Sequence, residues 1–129
     1  MNAASPAGID PLRRLCALAL LVAAAVPAQA HHGWAWAEDG NSELSGTITA
    51  AKLGNPHGEL TLDVGGAAWL VEVGQPWRNE RAGLKDDLLA KGVKLTVIGH
   101  RHADPKRRVF KAERVVIDGR RFDLYHDRD

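Results

Sequence analysis

The chain has 129 residues, with 17 basic and 16 acidic side chains, one cysteine and one methionine. This length suits one small domain, and the balanced charge excludes the strongly basic class of nucleic-acid-binding proteins. A single cysteine also excludes a framework of internal disulfide bonds.

The first thirty residues predict a secretory signal peptide. Arg13 and Arg14 precede an uninterrupted apolar run at residues 15–26, and an Ala-Gln-Ala motif ends at Ala30. Positive charge, apolar run and small-residue motif in this order are typical of a cleaved signal, whereas a membrane-spanning helix needs about 20 apolar residues. An uncleaved anchor or a buried helix is the alternative. The paired arginines leave both the Sec and the Tat export routes open.

Cleavage after Ala30 would leave residues 31–129, a periplasmic chain with no membrane span. This mature chain would lack both Cys16 and Met1 and therefore every sulfur ligand. It would also lose Asp10 and the two leader arginines, which brings its formal net charge to zero. A neutral exported chain gives no electrostatic reason to expect a nucleic-acid partner.

After Ser42 the sequence predicts short β-strands separated by turns. Residues 59–64 alternate apolar and polar side chains, with Leu60 and Leu62 on one face, which is typical of a half-buried strand. The pairs Gly65-Gly66 and Asp118-Gly119 predict tight hairpins. Strands are predicted at residues 44–52, 59–64, 67–73, 93–100, 108–117 and 121–125.

Two local features interrupt the β pattern. Leu84 and Leu88 lie one helical turn apart, so residues 84–90 predict a short helix. The last long strand slips in its alternation within residues 112–115, which predicts a β-bulge there.

Three strands, a short helix and then two or three more strands is the order of an OB-like β-barrel. The predicted fold class is therefore all-β, with an open antiparallel sheet or a small sandwich as the alternative. We expect an extended N-terminal arm that Trp34, Trp36 or both attach to the barrel. The predicted organisation is signal peptide, arm, barrel and polar tail at residues 1–30, 31–41, 42–125 and 126–129.

A mature chain that starts at His31 would carry its free α-amine on a histidine. The amine and the ring Nδ1 of His31 can close a chelate ring on one metal ion, and an α-amine loses its proton at a pKa of about 7.7–8.0. A third nitrogen from another histidine would complete a T-shaped site, which favours Cu(II). The ring and backbone nitrogens of His32 are further donors.

Several histidines could supply the third nitrogen. His57 ranks first because Pro56 restrains the backbone of its turn. His100 and His102 rank next because residues two apart on a strand point to the same side, and His126 in the polar tail ranks last.

Each histidine also has a plain structural interpretation. Most histidines are not metal ligands, and His57 can simply stabilise its turn. His100 and His102 can flank a basic rim formed by Arg101, Lys106, Arg107 and Arg108. No catalytic motif is recognisable, so we expect no enzyme, and a copper oxidase or oxygenase is the least favoured alternative.

One order of short motifs runs through the chain. It consists of His31-His32-Gly33-Trp34, then SGTIT, Asn55-Pro56-His57 and LKDDLLAKGVKLTVIGH before a basic hairpin. This order resembles a family of small exported bacterial proteins of unknown function with His-His-x-Trp at the mature start and an Asn-Pro-His turn. The resemblance implies export and a compact β domain, and it implies no activity.

These observations predict an exported β-barrel protein that binds a metal ion, with copper as the first choice, as a carrier or sequestering protein. The predicted metal ligands come from His31, His32, His57, His100 and His102. The alternative is a periplasmic interaction module that holds a protein or a glycan without metal.

Overall fold

The structure, a computed structural model, describes residues 34–128. The predicted signal peptide, His31 and His32 lie outside these residues. The described chain forms six strands, one short α-helix and one 3₁₀ helix. They are β1 (Ser42–Lys52), β2 (Glu59–Val64), β3 (Ala67–Glu72), α1 (Pro76–Arg81), the 3₁₀ helix (Asp86–Leu89), β4 (Lys94–Arg101), β5 (Val109–Ile117) and β6 (Arg120–Asp123).

Five of the strands close into a barrel. The first half of β1 pairs with β4 and its second half with β2, both antiparallel. The β2–β3 hairpin then brings β3 against β5 in a parallel pair, and β5 returns antiparallel to β4. The resulting order β1–β2–β3–β5–β4–β1 confirms the predicted OB-like barrel and excludes the open sheet.

Strand β1 changes partners at Gly46. A Cβ atom at this position would lie only 2.6 Å from the carbonyl oxygen of Asp63 on β2. Only glycine permits such a close approach of two backbones, as expected for a glycine at a bend in a strand.

The core fills the barrel with the apolar face of each strand. Leu60 and Leu62, predicted to share a face of β2, are both fully buried, and Phe110 is the largest fully buried side chain among residues 34–128. The buried apolar residues are Leu44, Ile48, Leu60, Leu62, Val71, Val73, Leu84, Leu89, Leu95, Val97, Phe110, Ala112, Val115, Ile117, Phe122 and Leu124.

Both predicted hairpin turns are confirmed. Gly65 and Gly66 have φ values of 58° and 87°, and Asp118 and Gly119 have φ values of 48° and 74°. Two consecutive residues with positive φ match the right-handed twist of the flanking strands, and glycine and aspartate tolerate this conformation well.

The short helix predicted at residues 84–90 is a 3₁₀ helix of four residues, Asp86–Leu89, and not an α-helix. The α-helix lies earlier, at α1, where Pro76 occupies the first turn and supplies a fixed φ that suits a helix start. Gly83, with a φ of 80°, ends this region.

The predicted β-bulge in β5 is confirmed and lies at Glu113. Across the β4–β5 pair, Ile98 opposes Arg114 while the next residue, Gly99, opposes Ala112. A Cβ at Gly99 would meet the Lys111 carbonyl oxygen at 2.0 Å, so the bulge needs glycine on the facing strand.

The N-terminal arm is attached to the barrel through the backbone. The Glu38 N–H donates to the Arg101 carbonyl at 2.8 Å, and the Ala103 N–H donates to the Trp36 carbonyl at 2.8 Å. The arm thus extends the end of β4 by a short antiparallel pairing. No helix within residues 34–128 is long and apolar enough to cross a membrane.

Candidate functional site

A row of four polar residues crosses the outer face of the barrel. Strand pairing sets Glu59 opposite Glu72, Glu72 opposite Lys111, and Lys111 opposite His100. Their core-facing neighbours on β5 and β4, such as Phe110 and Val97, are fully buried. Because strand side chains alternate between faces, these four residues form one outward polar row: Glu59, Glu72, Lys111 and His100.

The two glutamates of the polar row are like charges in directly opposed positions. Such pairs destabilise a sheet unless other charges compensate them. Lys111 Nζ donates to Glu72 Oε2 at 3.2 Å, and His57 Nε2 lies 3.2 Å from Glu72 Oε1 and 3.8 Å from Glu59 Oε1. Lys111 therefore compensates the charge of Glu72, and Nε2 of His57 lies close to both carboxylates.

His57 is held by its turn and remains partly open to solvent. Gly58 continues the β2–β3 ladder, because its N–H donates to Gly74 and its carbonyl accepts from Val73. The His57 side chain is 26% exposed and lines a cleft of about 180 Å³. Within the described residues, Nδ1 of His57 has no hydrogen-bond partner, whereas Nε2 faces carboxylates.

His100 lies at the other end of the polar row and is buried. Its Nδ1 lies 2.8 Å from the Glu38 carbonyl, and its Nε2 lies 2.8 Å from Glu113 Oε1. A carbonyl oxygen only accepts, so Nδ1 donates, and the contact with Glu113 uses Nε2. Both ring nitrogens of His100 are therefore engaged.

Glu113 occupies this position because of the β-bulge. The extra residue turns Glu113 to the outer face, where its side chain is only 2% exposed. Arg128 Nε from the C-terminal tail also donates to Glu113 Oε1 at 3.2 Å, and Arg114 NH1 lies 3.9 Å from Oε2. The buried carboxylate is thus contacted by His100 from β4, Arg114 from β5 and Arg128 from the tail.

His102 does not share the environment of His100. Its ring stacks on Trp36, with centroids 5.2 Å apart and planes inclined by 17°, and its Nδ1 accepts the Asp104 N–H at 2.9 Å. A neutral imidazole that accepts at Nδ1 carries its proton on Nε2. The structure thus places the two histidines of the predicted pair in different surroundings.

Four side chains enclose the ring of Trp34, three residues after His31 in the sequence. His100 and Tyr125 make edge-to-face contacts with it at centroid distances of 5.3 and 5.2 Å. Lys111 Nζ lies 5.1 Å and Arg128 Cζ 4.1 Å from the ring centroid. We call this arrangement the indole cage: His100, Lys111, Tyr125 and Arg128 around Trp34.

Tyr125 links the indole cage to α1. Arg78 Cζ lies 4.2 Å from the Tyr125 ring, and Arg78 NH1 donates to the Leu124 carbonyl at 3.1 Å. Burial raises the pKa of Tyr125 above its ordinary value, although the positive charge of Arg78 opposes the shift.

Sequence reasoning selected the histidines but missed their charged partners. Glu72, Lys111, Glu113 and Arg128 resemble ordinary surface charges in the sequence, and their proximity depends on barrel closure. The slip in alternation at residues 112–115 was the one available signal for Glu113. Within the described part of the chain, no group of three or more histidine, cysteine, aspartate or glutamate side chains is arranged to hold a metal ion.

Comparison with known proteins places the chain in a family without assigning an activity. No curated protein matches the sequence significantly. The family described as "Family of unknown function (DUF6152)" matches residues 18–111, a range that includes the barrel from β1 into β5. The chain therefore belongs to DUF6152, a family of unknown function.

Proposed function

We propose that the mature protein binds copper as Cu(II), using the amino terminus at His31 together with His57, and serves as a carrier or sequestering protein. His31 would contribute its α-amine and ring nitrogen, and His32 is available as a further donor. This proposal requires cleavage after Ala30, since only a chain that starts at His31 carries the amine on a histidine.

The observation that carries the proposal is the arrangement of the two ring nitrogens of His57. A histidine that ligates a metal usually directs its other ring nitrogen to a carboxylate, which fixes the tautomer and ring orientation. Nε2 of His57 lies 3.2 Å from Glu72 Oε1. If Nε2 carries the ring proton towards Glu72, Nδ1, which has no hydrogen-bond partner in the described chain, carries the lone pair that would coordinate a metal ion.

The other predicted ligands in the described chain fit less well. Both ring nitrogens of His100 are engaged, with Glu38 and Glu113. His102 accepts a hydrogen bond at Nδ1 and stacks on Trp36. His57 is therefore the best-supported second ligand, and nitrogen donors without any sulfur favour Cu(II) over Cu(I).

The surrounding residues would act by binding and orienting. Glu72 would hold the His57 ring, and Lys111 would hold Glu72 through its 3.2 Å ion pair. Glu59, 3.8 Å from His57 Nε2, would add negative charge that favours a cation. Bound Cu(II) would be a redox-active ion. We propose that the protein carries or sequesters this ion and does not use it for catalysis.

The first experiment changes only the amino terminus. The full chain is expressed in a bacterial host, the mature protein is isolated from the periplasm, and intact mass shows whether it starts at His31. A second version has one glycine inserted between Ala30 and His31, which removes the amino-terminal chelate but keeps every side chain. We expect the glycine to weaken Cu(II) affinity at least about tenfold and to change the EPR spectrum.

A matched pair of histidine variants tests the second ligand. His57→Gln should weaken Cu(II) binding by a similar factor, whereas His126→Gln, at an exposed position in the tail, should bind like wild type. Equal affinity and identical EPR spectra for the wild-type and glycine-extended proteins would refute the proposal. Capture of a periplasmic protein or glycan that persists with chelator would then favour an interaction module.

A further inference from the structure

Trp77 on α1 leaves a large aromatic surface open to solvent. It is 52% exposed, and the only other exposed large apolar residue within residues 34–128 is Leu70, at 36%. Tryptophan is highly buried on average in folded proteins, because contact between an apolar ring and water is unfavourable. An exposed indole therefore needs an explanation from its surroundings.

A cleft of about 190 Å³ lies beside the Trp77 ring. It is formed by α1 and by the segment that runs from the end of β6 into the C-terminal tail. Pockets that enclose drug-sized ligands measure about 300–1,000 Å³, so this cleft suits a ligand of about one ring. Besides Trp77, its lining includes the polar side chains Arg78, Arg81, Asp123, His126 and Asp127.

Arg78 restricts the orientation of the Trp77 ring. Its Cζ lies 4.6 Å from the Trp77 ring centroid and 4.2 Å from the Tyr125 ring centroid, and its NH1 donates to the Leu124 carbonyl at 3.1 Å. Two cation–π contacts and a hydrogen bond hold the guanidinium in place, and the guanidinium in turn supports the indole. A preorganised aromatic surface reduces the entropy that is lost when a ligand stacks on it.

The polar lining of the cleft supplies both hydrogen-bond acceptors and donors. Asp123 Oδ1 accepts from Arg114 Nε at 2.9 Å and from Arg121 Nε at 3.0 Å, so its second oxygen, Oδ2, can accept from a ligand. Burial acts to raise the pKa of Asp123, but hydrogen bonds from Arg121 and Arg114 hold it below its ordinary value, which keeps the carboxylate ionised at neutral pH. Asp127 adds a second acceptor group, and Arg81 adds N–H donors.

A neutral pyranose sugar matches this combination of groups. The C–H bonds of a pyranose with equatorial hydroxyls form an apolar face, which can stack on the electron-rich face of an indole. Neighbouring hydroxyls on the same ring both donate and accept, so they can pair with a carboxylate and a guanidinium together. An anionic ligand would be repelled by Asp123 and Asp127, and a cationic ligand by Arg78 and Arg81.

We propose that the cleft between α1 and the tail binds a neutral pyranose unit of a glycan, which stacks on Trp77 and hydrogen-bonds to Asp123, Asp127 and Arg81. The cleft shares no lining residue with the cleft at His57. Sugar binding therefore needs no metal ion, and this proposal and the copper proposal can each fail without the other.

An NMR titration of the protein purified from expression of the full chain tests the site, with cellobiose as the probe and a chelator present. The chain has four tryptophans, and the indole N–H signal that Trp77→Ala removes is that of Trp77. We expect cellobiose to shift the Trp77 signal more than the other three indole signals. Sorbitol, which carries hydroxyls but no ring to stack, should cause no such shift.

Variants then separate stacking from hydrogen bonding, with affinity followed at the amide of Ala82, which also lines the cleft. Trp77→Ala should weaken cellobiose binding about tenfold, because it removes the stacking surface, and Trp77→Phe should retain most of the affinity. Asp127→Asn should weaken binding severalfold, because it removes a charged acceptor. Leu70→Ala is the matched control, since it removes the other exposed large apolar side chain and should bind like wild type.

Three results would overturn the proposal. The first is a Trp77 indole signal that stays unshifted under a large excess of cellobiose or shifts equally with sorbitol, and this result needs only the wild-type protein. The second is wild-type affinity for cellobiose in a folded Trp77→Ala protein. The third is a dimer in sedimentation velocity that Trp77→Ala abolishes, together with no sugar binding, which would make this face an interface between two copies of the chain.

Discussion

His57 lies beside the two glutamates of the polar row and His100 is the last member of that row, but their neighbours give the two histidines different chemistry. His57 has one ring nitrogen against Glu72 and the other without a partner in the described chain, whereas His100 uses both nitrogens within a buried network. Residue type alone made both histidines candidates. Burial and hydrogen bonding distinguish a residue that can receive a ligand from one that holds the fold together.

The role of Asn79, which is structural, is also determined by its hydrogen-bond partners. Its Oδ1 accepts the Gly74 N–H at 2.9 Å and its Nδ2 donates to the Gly74 carbonyl at 3.0 Å. One buried amide thereby bonds both backbone groups of Gly74, the second residue after β3, and it ties α1 to the barrel.

Replacement of Asn79 by alanine should therefore destabilise the protein. The buried Gly74 N–H would lose its partner, whereas the Gly74 carbonyl would keep the Gly58 N–H, and a buried unsatisfied group costs about 1–3 kcal/mol. Urea unfolding followed by circular dichroism measures the change. Asn41→Ala, at an exposed position, should stay within about 0.5 kcal/mol of wild type, and equal stability of the two variants would contradict this account.

At the scale of elements, the sequence predicts strands and turns better than it predicts contacts between them. Alternation located β2, the Gly65-Gly66 and Asp118-Gly119 pairs located the hairpins, and a slip in alternation located the bulge at Glu113. The helix was misplaced because the spacing of Leu84 and Leu88 suggested an α-helical face, whereas Leu84 lies before the 3₁₀ helix and Leu89 is the buried residue within it. The pairing of Glu72 with Lys111 could not be predicted from the sequence, because it depends on the parallel pairing of β3 with β5 that closes the barrel.

The bulge in β5 requires a residue without a side chain at the facing position of β4, and this requirement can be tested. A Cβ at Gly99 would lie 2.0 Å from the Lys111 carbonyl oxygen, whereas at Gly40, where φ is 84°, it would meet no atom within 4 Å. Gly99→Ala must therefore push the β4 and β5 backbones apart, whereas Gly40→Ala only places an alanine in a positive-φ conformation.

We expect Gly99→Ala to lose about 3 kcal/mol or more, because overpacking against a rigid backbone exceeds the usual cost of about 1–3 kcal/mol. Gly40→Ala should lose about 1 kcal/mol. Thermal and urea unfolding of both variants measure the difference. A Gly99→Ala protein as stable as Gly40→Ala would show that the β4–β5 bulge is not as tight as described.

At the scale of the whole molecule, the arm and the C-terminal tail meet on one outer face. Arg128 from the tail donates to Glu113 and lies over Trp34 from the arm, and Arg114 NH2 donates to the Arg128 carbonyl at 3.3 Å. The sequence suggested only a polar tail at residues 126–129. In the structure, the described part of this tail helps to hold the arm.

Deletion of residues 126–129 should therefore loosen the arm while the barrel stays folded. Loss of Arg128 removes a charged hydrogen bond to buried Glu113 and a cation over the Trp34 ring. Because the Arg128 side chain is 42% exposed, solvent screens these interactions, and we expect the free energy of unfolding to fall by about 1 kcal/mol. The Glu38 and Ala103 amides, which pair the arm with β4, should exchange with deuterium severalfold faster, because local opening needs less free energy than global unfolding. The Gly66 amide, bonded to Asp63 in the distant β2–β3 hairpin, is the internal control. Unchanged exchange at Glu38 and Ala103 would mean that the arm is held by its own contacts with β4 and not by the tail.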